Sequence, residues 1–85
     1  MNSTLYISNL APSATEQALS ARFVKCGNVV SVRIETNAAT GRSKGFGYVE
    51  MATRADALTA INRLNLSDFE GRLMSVNMAH TGMPG

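Results

Sequence analysis

The chain holds a single cysteine, Cys26, in 85 residues. No internal disulfide can form, and no Cys-x-x-Cys pair or Cys/His cluster supplies the spacing of a metal site, so no metal and no cofactor is expected. Cys26 reads as a small buried thiol on a helix. Long apolar runs are missing too. No stretch reaches the roughly 18 apolar residues of a membrane span, and the opening MNSTLYISNL lacks the basic start and apolar stretch of a secretory signal. A soluble intracellular protein, cytoplasmic and free of membranes, is the expectation. Charge is sparse: 16% of residues are charged and the formal net charge is +2, which permits a nucleic-acid partner without demanding one. There is no internal repeat, like-charge block or low-complexity tract. No Gly-x-Ser-x-Gly context marks a nucleophile, and Gly45 and Gly47 form a GxG without the third glycine of a dinucleotide loop. Exposed strand carboxylates such as Glu35 and Glu50 do not make a catalytic pair, and no reaction is implied.

With 45% of its residues hydrophobic, the chain suits one compact domain with a modest core. Thr4 to Ser8 alternates at period two, predicting a strand with Leu5 and Ile7 on one face and Tyr6 and Ser8 on the other. Thr15 then caps a helix carrying Leu19, Phe23 and Cys26, stopped by Gly27. In NVVSVRIE, Val30, Val32 and Ile34 oppose Ser31, Arg33 and Glu35. The polar TNAATGRS is a connection long enough to be mobile, and KGFGYVEM is the third strand. Thr53 and Asp56 predict a capping box before a helix with Ala57, Leu58, Ile61 and Leu64 on one face. After a loop with Phe69 and Gly71, the last strand RLMSVNMA sets Met74, Val76 and Met78 against Leu73, Ser75, Asn77 and Ala79. The order is βαββαβ, an α+β ferredoxin-like sandwich: a four-stranded antiparallel sheet with two helices on one face. Two helices cover only one side, so the other stays open to solvent.

The octamer KGFGYVEM decides which residues look outward. Parity groups Phe46 and Tyr48 with Lys44 and Glu50, and Gly45 and Gly47 with Val49 and Met51. Burying the rings would drag two charges inward, at a cost comparable to the whole stability of a small domain. The rings therefore face solvent, and the glycines let the helices pack closely beneath. Tyr6 shares its face with Ser8, Arg33 with Ser31, and Asn77 with Ser75. Three outward rings among cations and small polar groups have no folding rationale, whereas stacking on bases supplies one.

LYISNL (5–10) and KGFGYVEM (44–51) resemble the hexamer and octamer of the RNA recognition motif family, in the matching first and third strands. The resemblance runs from about Thr4 to His80. It implies single-stranded RNA as partner, with single-stranded DNA admitted by the same chemistry, and a monomer that is not an enzyme. Carried over by position, it implies that Tyr6 and Phe46 or Tyr48 stack on successive bases while the other ring lies on sugar, and that Lys44 pairs with phosphate. Met51 departs from the octamer's usual final aromatic, and parity places it in the core. Arg33 and Asn77 flank the rings and Ser8 shares their face. Arg42 precedes the third strand close to Lys44. His80, where the last strand ends, can stack on an outer base. Residues 1–80 are expected to form the RNA recognition motif and 81–85 a short flexible tail. The brevity and glycine-containing end resemble the small single-motif RNA-binding proteins of bacteria and organelles. Two alternatives stay open: a protein-interaction module using the same rings and Leu73, and a ferredoxin-like enzyme such as an acylphosphatase, for which NLAPSAT supplies neither arginine nor a glycine-rich turn.

Overall fold

The computed structural model describes residues 3–79; His80 and the expected tail 81–85 lie outside the described residues. The elements are β1 (Thr4–Ser8), α1 (Glu16–Phe23), β2 (Val29–Thr36), β3 (Ser43–Met51), α2 (Arg54–Leu64), β4 (Ser67–Phe69) and β5 (Arg72–Met78). The strands lie in the order β2-β3-β1-β5-β4, all antiparallel. This is the expected ferredoxin-like arrangement with one addition. The expected loop around Phe69 is a three-residue fifth strand, joined to β5 through Glu70 and Gly71, both at positive φ. A two-residue turn with φ positive at both positions matches the twist of a hairpin, and β4 is too short to show a period.

Thr15 and Thr53 cap the helices as expected, accepting from the Ala18 and Asp56 N–H groups at 3.1 and 3.0 Å. Asp56 does not complete the capping box. Its carboxylate accepts instead from the Asn28 N–H at 3.3 Å, in space that a side chain at Gly27 would fill. α1 ends before Gly27: Val24 closes it through its N–H to the Ser20 carbonyl, and half-buried Cys26 sits in the following turn.

The core lies between the helices and one sheet face. Leu5, Ile7, Val49, Met51, Met74 and Val76 meet Leu19 and Phe23 of α1 and Ala57, Ala60 and Leu64 of α2. Met51 is fully buried. Two expected core residues are not inside. Leu58 is exposed and Ala60 takes the inward place on α2. Val30 is 59% exposed because Val29 pairs with Met51 and Ser31 with Glu50, leaving Val30 as the extra residue of a bulge. Val29 packs on the core in its stead. Ala79, which parity places with Asn77 on the open face, lies just past β5 and is buried, its N–H donating to the Thr4 carbonyl.

Candidate nucleic-acid interface

β1 is the middle strand of the five and pairs with β3, and their register sets the rings. Tyr6 lies opposite Tyr48, and Ser8 opposite Phe46. Both tyrosines alternate with buried neighbours, Leu5 and Ile7 around Tyr6 and Gly47 and Val49 around Tyr48, and Phe46 packs against both rings. All three rings therefore leave the sheet on the side opposite the helices. Ring centroids are 5.6 Å apart for Tyr6–Tyr48, 6.0 Å for Tyr6–Phe46 and 6.3 Å for Phe46–Tyr48, the last pair edge-on at 85°. These are favourable tilted geometries, so the rings hold one another in place while remaining partly exposed.

The row through Tyr6 and Tyr48 extends across the sheet, with Arg33 opposite Tyr48 on β2 and Asn77 opposite Tyr6 on β5. The Arg33 Nε donates to Glu35 Oε2 at 2.9 Å, and Asn77 donates to the Ser75 hydroxyl at 3.1 Å. Arg33, Asn77 and Ser8 thus share the face of the rings.

Gly47 has a different role from the one expected. A side chain there would overlap the Arg33 carbonyl oxygen and stand 3.0 Å from the Ile34 Cα. The close neighbour is the backbone of β2, not a helix. Gly45 has φ of +92°. This left-handed residue interrupts the regular pleat between Lys44 and Phe46, and Lys44 is exposed. Lys44 is the second residue of β3, two positions past exposed Arg42 of the β2–β3 connection.

That connection is folded on itself. Asn37 accepts from the Ala39 and Thr40 N–H groups at 2.8 and 3.3 Å, and its own N–H donates to the Arg42 carbonyl at 2.7 Å. An asparagine accepting from the backbone two residues on is an Asx turn, and this was the available signal in TNAATGRS. A second asparagine lies in the hexamer LYISNL. Asn9 has φ of 61° and donates to the Leu73 carbonyl at 2.8 Å, tying the end of β1 to β5. The asparagine of the hexamer thus braces the sheet.

Among the described residues no helix is long and apolar enough to cross a membrane, and no three His, Cys, Asp or Glu side chains gather as a metal site. The RNA recognition motif model matches residues 5–75. The chain belongs to the RNA recognition motif family. RbpA of Nostoc sp. is 38% identical over 76 residues, covering 89% of this chain and 74% of its own length. Glycine-rich RNA-binding protein 1 of Mycosarcoma maydis is 36% identical over 85 residues, the whole of this chain and 49% of that relative. Among solved structures, RNA binding protein PG1 superposes with a TM-score of 0.85 at 39% identity over 89% of this chain and 92% of that one. One chain of an Sxl-lethal protein/RNA complex gives 0.85 at 34% identity, over 91% of this chain and 47% of that one. RNA recognition motifs are not an enzyme family. Both sequence motifs, 5–10 and 44–51, fall inside the matched span.

Proposed function

We propose that this RNA recognition motif binds short single-stranded RNA across the sheet face of Tyr6, Phe46 and Tyr48. The observation that carries the reading is the convergence of three partly exposed rings within 6.3 Å of one another, opposite the helices. Flat apolar surfaces next to polar donors suit unstacked bases, and each stack contributes on the order of 1–3 kcal/mol. Asn77 supplies an amide at the end of the ring row, Ser8 a hydroxyl beside Phe46, and Arg42 and Lys44 cations for phosphate. His80, outside the described residues, is a candidate for stacking on an outer base. Single-stranded DNA offers the same base faces, and the rings alone do not distinguish a 2′-hydroxyl. The glycine-rich relative named an RNA-binding protein and the similar chain solved with RNA support this assignment.

Leu73, 56% exposed on the strand that carries Asn77, favours a second reading in which a peptide docks on the same face. Amide chemical-shift mapping with a randomised single-stranded RNA pool separates the two. Shifts centred on Tyr6, Ser8, Phe46, Tyr48 and Asn77 that fade with added salt are expected. No response, or shifts confined to α1 and α2, would remove RNA from this face.

A further inference from the structure

Arg33 stands directly across β2–β3 from Tyr48, which makes it the cation of the ring row. It does not stand alone. Its Nε is 2.9 Å from Glu35 Oε2 on the same strand, with the arginine side chain 60% exposed and the glutamate only 26%. The glutamate is thus partly sheltered and the arginine side chain the more exposed of the two. Glu50 also belongs to this part of the sheet, facing Ser31, whose hydroxyl lies 3.5 Å from its carboxylate. A phosphate arriving beside Tyr48 would meet an arginine already committed to an anion, with a second carboxylate two register positions away. Neither glutamate belongs to the core: Glu35 is half-buried against Arg33 and Glu50 is exposed.

We infer that Glu35 is a competitor built into the binding face, holding Arg33 away from phosphate and setting the affinity of the chain for single-stranded nucleic acid below what its rings allow. This rests on the proposed RNA binding. A phosphate that recruits Arg33 must displace Glu35 or share the guanidinium with it against repulsion. An exposed ion pair is worth up to about 1 kcal/mol, so its release corresponds to at most about fivefold in affinity. One further phosphate contact also adds about 0.7 to the salt slope of a single-strand complex. The effect tunes binding without creating or abolishing it.

The test is a salt titration of the whole chain with a mixed-sequence single-stranded RNA, comparing native protein with Glu35→Gln, Glu50→Gln, Arg33→Gln and the Arg33→Gln/Glu35→Gln double variant. Glu50→Gln removes the same formal charge from the face without touching the Arg33 pair, so it measures the general electrostatic gain. The expected result is about two- to fivefold tighter binding for Glu35→Gln beyond that control, with a salt slope steeper by about 0.7, and loss of this extra gain when Arg33 is glutamine. Weaker binding by Glu35→Gln would mean that the carboxylate orients Arg33 for the ligand and would overturn the inference. So would equal gains from the two glutamates, or a gain that survives without Arg33. Failure of the native chain and every variant to bind at low salt would instead overturn the RNA reading itself.

Discussion

Phe46 has two kinds of neighbour, the rings of Tyr6 and Tyr48 on one side and solvent on the other, and the two make separable contributions. Phe46→Ala should weaken single-stranded RNA binding by about 1–3 kcal/mol, the value of a base stack. It should lower folding stability by only about 1 kcal/mol, the scale of an aromatic pair. Leu5→Ala, in the core behind the same sheet, should cost about 2–5 kcal/mol of stability. Fluorescence titration and urea unfolding of both variants check this, and equal destabilisation by the two would place Phe46 among core residues. Gly47 invites the opposite experiment. Gly47→Ala forces a methyl group against the Arg33 carbonyl, and backbone cannot swing aside as a flexible side chain can. A stability loss of about 1–3 kcal/mol is expected in urea. Because Arg33 and Tyr48 flank the disturbed point, RNA affinity should fall with it. An unchanged unfolding midpoint would show that β2 yields freely there.

At the scale of elements, the two helices are started by threonines and fixed by what packs beneath them. Thr53→Ala removes the acceptor for the Asp56 N–H and should cost about 1 kcal/mol. Asp56→Asn should cost less, because its side-chain oxygen can still accept from Asn28, whereas Asp56→Ala removes that tie between α2 and the start of β2. Thermal unfolding of the three variants ranks them. Such ties also show how much of the fold was legible. Capping threonines, the alternation of β1 and the glycine-aromatic octamer are local signals, and each placed its element and the three rings correctly. Val30 and Leu58 were misplaced because a bulge and a choice between adjacent helix positions depend on partners distant in the chain. β4 has three residues and exists through its pairing with β5, with Phe69 buried and Arg22 5.2 Å over its ring. The Arg33–Glu35 pair was hidden for a different reason: period two puts both side chains on one face but does not say that they meet.

For the whole molecule the question is how a net charge of only +2 serves a polyanion. The eight cations are not spread evenly in function. Arg22 lies over Phe69 and donates to the Asp68 carbonyl, Lys25 follows the end of α1, Arg33 is paired with Glu35, Arg54 and Arg63 belong to α2, behind the sheet, and Arg72 opens β5 opposite Phe69 at the outer hairpin. Exposed Arg42 and Lys44, beside the β2–β3 connection, are left as the principal phosphate partners near the rings. Stacking, which salt hardly screens, should therefore carry most of the affinity. With two phosphates neutralised, log K should fall against log salt with a slope of about −1.4. Lys44→Gln should flatten the slope by about 0.7 and lower affinity most at low salt, while leaving the fluorescence signature of stacking at Tyr6 and Tyr48 intact. A native slope several-fold steeper would require cations from the helix side and hence a strand that wraps around the molecule. An unchanged slope in Lys44→Gln would leave that phosphate to Arg42, which the corresponding Arg42→Gln titration measures directly.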